Sequence, residues 1–104
     1  MKQLLNPVSV GGTEYETVAA SQTAQVLGTA GAKGDVIARL IVTVATAATG
    51  TVAILDGATS IPIVAANTPI GVYSIELGLM AVTGPWKVTT GAGASVVAVG
   101  NFSV

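Results

Sequence analysis

The chain has 104 residues, of which four are basic and five acidic, with no histidine and no cysteine; soluble domains average about a quarter charged residues. That length suffices for one hydrophobic core without a disulfide or metal staple. A formal net charge of -1 gives neither the basic stripe that neutralises phosphates nor an acidic mimic, so nucleic acid is not an expected partner, and the scarcity of ionisable side chains removes most of the material of acid-base catalysis.

The composition is 51% hydrophobic, yet the longest apolar stretch, Val36 to Ala48, carries Arg39, Thr43 and Thr46 and falls short of the ~20 residues a spanning helix needs. No membrane association is expected. Met1 to Pro7 lacks the apolar core of a secretory signal, so synthesis in the cytoplasm is expected. The lack of cysteine fits a reducing compartment.

In chain order, residues 1–22 read as an extended N-terminal arm or edge strand, punctuated by Asn6-Pro7 and Gly11-Gly12, and residues 23–104 as a single β-sandwich domain. From Thr23 onward, short β-rich runs alternate with turn residues, which predicts about seven strands, with an eighth from the N-terminal region. In the run Asp35 to Thr46 the even positions Val36, Ala38, Leu40, Val42 and Val44 are apolar, so they are expected to face the core. Thr51 to Leu55 leads into the turn dipeptide Asp56-Gly57, with Ile61 to Ala66 as the returning strand. Pro62 cannot donate to a ladder, which places that strand at an edge or beside an irregularity. Gly71 to Ala81 alternates, with Tyr73, Ile75, Leu77 and Leu79 expected inward. Trp86 to Thr90 and Ser95 to Val104, joined by Gly91-Ala92-Gly93, read as a hairpin. Thirteen glycines and four prolines, with abundant Val and Thr, leave no window of helical period. The fold class is therefore all-β, a β-sandwich or jelly roll.

Candidate sites are few. Glu14 and Glu16 share a face if extended and could form a carboxylate pair of glycosidase or calcium type, against the simpler reading of a solvated strand face. Asp35 and Arg39 read as a recognition pair or a strand-end ion pair. Gly28, Gly31 and Gly34 superficially suit a phosphate loop, but such loops precede a helix and here a strand follows. Without histidine, and with Lys2, Lys33 and Lys87 as the only lysines, a nucleophile has few possible bases. Neither a catalytic residue, a metal ligand nor a cofactor is assigned. Tyr15, Tyr73, Met80, Trp86 and Phe102 are the large side chains suited to recognition or core. Trp86 is either core or an interface anchor.

Three strings, Gly34–Gly50 (GDVIARLIVTVATAATG), Ile54–Gly57 (ILDG) and Gly84–Gly93 (GPWKVTTGAG) with Ser95-Val96, resemble small structural proteins of tailed bacteriophages over roughly Gly34 to Phe102. The resemblance implies a β-sandwich or jelly-roll module of the virion that decorates the capsid or belongs to a head or tail fibre, and a homotrimer. It carries no catalytic motif.

The expectation is thus a non-enzymatic capsid decoration or cement protein, found in the virion, whose partners are the major capsid protein and its own copies. The apolar arm residues Leu4, Leu5, Val8 and Val10, with Tyr15 and Trp86, are the candidate capsid or subunit contacts. The alternatives are a tail or head fibre component or adaptor, and a carbohydrate-binding or hydrolytic β-domain built on Glu14-Tyr15-Glu16.

Overall fold

The computed structural model describes residues 14–29, 31–47 and 49–102. Among them the chain is all-β: β1 (Glu14–Val18), β2 (Gln25–Val26), β3 (Val36–Val44), β4 (Val52–Asp56), β5 (Thr59–Val64), β6 (Gly71–Met80), β7 (Trp86–Thr89) and β8 (Ala94–Asn101). Two four-stranded antiparallel sheets face each other, one ordered β1-β8-β3-β6 and the other β2-β7-β4-β5. Strands pair as β1 with β8, β2 with β7, β3 with β6 and β4 with β5, one ribbon folded about the β4–β5 turn. Rolling that ribbon brings β3 against β8 and β4 against β7. This is the strand order of a jelly roll. No described helix is long and apolar enough to cross a membrane.

The core lies between the sheets and is built by the period-2 pattern. Leu40, Val42 and Val44 from β3, Val52 and Ile54 from β4, Val88 from β7 and Val96 and Ala98 from β8 are all buried. Full burial of one such aliphatic side chain stabilises by ~1.5–3 kcal/mol relative to exposure.

The expected alternation along β3 fails at its start. Ile37 is buried, while Val36 and Ala38 are only partly so, because the ladders to β6 and β8 both shift register between Ile37 and Arg39. The extra residue is a β-bulge, which inverts the faces on one side of itself. The partner strand carries the same irregularity at Gly78, whose φ of +63° suits a residue without a Cβ. Tyr73, Ile75 and Leu77 pack on the core as expected; Leu79, past Gly78, is 36% exposed.

The returning strand is Thr59–Val64 rather than Ile61 to Ala66, and Pro62 sits at a sheet edge beside a register shift between Val52 and Ala53. The expected hairpin of Trp86 to Thr90 with Ser95 to Val104 does not form. β7 and β8 belong to different sheets, and Gly91-Ala92-Gly93 carries the chain across the sandwich. Alternation cannot distinguish these outcomes, since a strand looks the same whether its neighbour in sequence pairs with it or faces it.

The connections β1–β2, β3–β4, β5–β6 and β7–β8 gather at one end and are bound to one another. Ser21 N–H donates to Gly91 O (3.1 Å), Gly50 N–H to Ala92 O (3.0 Å) and Asn67 N–H to Thr49 O (2.7 Å). The buried Thr90 hydroxyl accepts from Gln22 N–H and donates to Ala19 O. A Cβ built on Gly91 would lie 2.4 Å from Gly50 Cα, so two backbones touch there.

Candidate functional site

The five carboxylates of the chain are all engaged by its own backbone or side chains. Glu14 Oε1 accepts the Phe102 N–H (3.0 Å). Glu16 reaches from β1 to the other sheet, accepting the Gly28 N–H (2.7 Å) and the Gln25 side-chain amide (3.1 Å). Asp35 is buried and accepts the Ala32 N–H (3.1 Å). Asp56, at the end of β4, accepts three backbone N–H groups, from Val82 (2.9 Å), Thr83 (3.0 Å) and Gly84 (3.1 Å). Foremost the Val82 N–H, with those of Thr83 and Gly84, holds the Asp56 carboxyl below its ordinary value against the opposing effect of burial. Glu76 pairs with Arg39 across the β3–β6 ladder.

These contacts reassign the sequence candidates. Glu14 and Glu16 fasten different segments, and Tyr15, on the opposite face of β1, is 74% exposed, so no aromatic platform lies beside paired acids. Arg39 takes Glu76 as its partner rather than Asp35, because the bulge after Ile37 separates the two expected partners. Among the described residues no group of three or more acidic, His or Cys side chains could hold a metal ion. The glycine-rich stretch around Gly28, Gly31 and Gly34 joins β2 to β3, so a strand does follow it.

Trp86, expected as core or as an interface contact, is core. It is 2% exposed, and its indole N–H donates to Asp35 O at 3.0 Å. It cannot touch another molecule without unfolding the sandwich. Leu4, Leu5, Val8 and Val10 lie outside the described residues. Tyr15 stands on the outer face of the first sheet, in the cross-strand row Tyr15, Val99, Arg39, Glu76.

The sites most open to a partner are at the sheet edges. β5 and β6 are the edges of the two sheets, and between them runs an open groove of about 450 Å³ lined by Ile63, Val64, Val72, Tyr73 and Ile75 among others. Beside it Ile70 and Val72 are 64% and 68% exposed, and at the far end of β6 Met80 and Val82 are 63% and 77% exposed. Natural edge strands are protected by shortness, proline or charge. β2 has two residues, β1 has five and carries Glu14 and Glu16, and β5 holds Pro62. β6 has ten residues and no proline; its protection is one charge, Glu76, which is paired with Arg39 of the neighbouring strand, and the irregularity at Gly78 near its end, so Gly71 to Leu77 is the longest regular edge segment among the described strands. Sequence reading finds the alternation of β6 but not its position, since being an edge is decided by the rolled topology.

Compared with known protein families, curated proteins and solved structures, the chain finds no match.

Proposed function

We propose that this chain is a non-enzymatic structural protein of a tailed-bacteriophage virion, which binds the assembled capsid as a decoration or cement protein and associates with its own copies. The observation that supports this reading best is the fate of the charges. All five carboxylates are used to bind the chain to itself, and although Glu14, Lys33, Arg39 and Glu76 stay exposed, charges are so few that most of the surface costs little to desolvate against a repeating neighbour. The jelly-roll order is compatible with the resemblance in the Gly34–Phe102 region, although fold alone does not carry function.

Binding would be multivalent. Each subunit supplies a modest contact, and the fixed spacing of sites on the shell raises the effective concentration for the next. The arm containing Leu4, Leu5, Val8 and Val10 is the proposed capsid-contacting element. A receptor-binding fibre tip would present clustered exposed aromatics, and Tyr15 stands alone among the described residues as an aromatic more than half exposed.

The test is binding of the purified protein to preassembled capsids, followed by electron microscopy of the decorated particles. Saturable binding at symmetry-related positions supports the proposal. Hydrolytic activity lost in the Glu14→Gln, Glu16→Gln double variant would replace it with an enzymatic one.

A further inference from the structure

The regular part of β6, Gly71 to Leu77, lies on the rim of the groove with one side of its backbone unpaired by any described strand. We infer that this edge pairs antiparallel with β6 of a second copy, about a two-fold axis through Ser74, joining two sandwiches into one continuous eight-stranded sheet. The inference rests on the self-association part of the reading above, and it replaces the three-fold count implied by the resemblance with a two-fold contact.

The argument is one of register. A two-fold contact must be self-complementary, and in an antiparallel pair directly opposed residues share a face. An axis through Ser74 sets Tyr73 against Ile75, Val72 against Glu76 and Gly71 against Leu77. The inward aromatic then meets an inward aliphatic over the groove, and the outward Glu76 meets Val72 while keeping its own Arg39. Moving the axis to Glu76 places two carboxylates in contact, which is destabilising. Moving it to Ile75 runs the ladder into Gly78, where the backbone is left-handed. Moving it to Tyr73 extends the pairing past Gly71, out of the strand. A half-step opposes outward to inward side chains. Ser74 is the setting that uses the whole regular segment without a charge conflict.

The chain has no cysteine, so Ser74→Cys introduces a single thiol. At the two-fold axis opposed Cα atoms lie ~4.5–5.5 Å apart, within the range a disulfide spans. Under mild oxidation Ser74→Cys should become a covalent dimer on a non-reducing gel, whereas Thr43→Cys, exposed in the centre of the same sheet, should not. Ser74→Lys sets two ammonium groups against each other on an exposed face. It should keep the wild-type circular dichroism and melting profile while weakening the dimer at least tenfold by light scattering. A wild-type trimer without the Ser74 cross-link would overturn the two-fold contact but leave self-association standing. A wild-type monomer would overturn both, and capsid binding, measured separately, reports on the virion reading itself.

Discussion

The indole N–H of Trp86 donates to the carbonyl of Asp35 at 3.0 Å, and that same carbonyl accepts the Ala81 N–H at 2.8 Å. One oxygen at the start of β3 therefore ties together both sheets and the β6–β7 connection. Trp86→Ala should lower stability by about 3–5 kcal/mol, the range for truncation of a buried aromatic. Trp86→Phe should cost less, because the phenyl ring fills most of the cavity that alanine leaves, while in both variants Asp35 O keeps its Ala81 donor. Chemical denaturation measures both, and capsid binding by the fraction that remains folded should be unchanged.

Asp56 supplies a pH dependence. Its folded-state pKa is depressed, so its contribution is complete above the unfolded value of about 3.9 and is lost as pH falls through the lower folded value. Melting temperatures of the wild type should drop through that acid window more steeply than those of Asp56→Asn, which should already be less stable at pH 7 because its one neutral oxygen replaces two charged acceptors and its NH2 faces an N–H donor.

The touching loops give a contrast between two glycines. Gly91→Ala would place its Cβ 2.4 Å from Gly50 Cα and should destabilise by about 1–3 kcal/mol, as overpacking does. Gly78→Ala meets no atom within 4 Å and is opposed by its positive φ alone, so it should cost about 1–2 kcal/mol. Thermal denaturation of the two variants, alone and combined, should show additive losses, since they lie in separate parts of the fold.

Deleting Met1 to Val10 should leave the circular dichroism of the β-sandwich unchanged, because the eight described strands all lie between Glu14 and Asn101, and should weaken binding to preassembled capsids. Co-sedimentation with capsids measures the loss; binding equal to that of the full chain would remove the arm from the mechanism.

Much of the fold is legible in the sequence, since an alternating strand between turn residues identifies itself. Leu40, Val42, Val44 and the Asp56-Gly57 turn all follow from local pattern. Pro62 marks an edge through its missing donor. Ile37 and Leu79 are misplaced by alternation because a bulge shifts the parity without changing the composition. The false hairpin at Trp86 has a related cause: pairing partners lie as far apart as Glu14 and Gly100, and no local signal encodes them. The groove between β5 and β6 was illegible for the same reason, and the three-donor hold on Asp56 could not be read from a dipeptide that already explained itself as a turn.

The nested ribbon also bears on how the protein is made. β8 is the last described strand to leave the ribosome, yet it lies between β1 and β3, and β1 has no other described strand beside it. A nascent chain stopped before Ala94 holds β1 without a described neighbour and β3 with the edge that β8 will pair left open. The sheet that holds β1, β8 and β3 therefore cannot close until Asn101 has been made, and its contacts are distant in sequence, of the kind that forms slowly. During that interval the apolar faces are open to chaperones and to other nascent copies, so the yield of assembled protein should depend on how fast chains are released as well as on how stable the finished sandwich is.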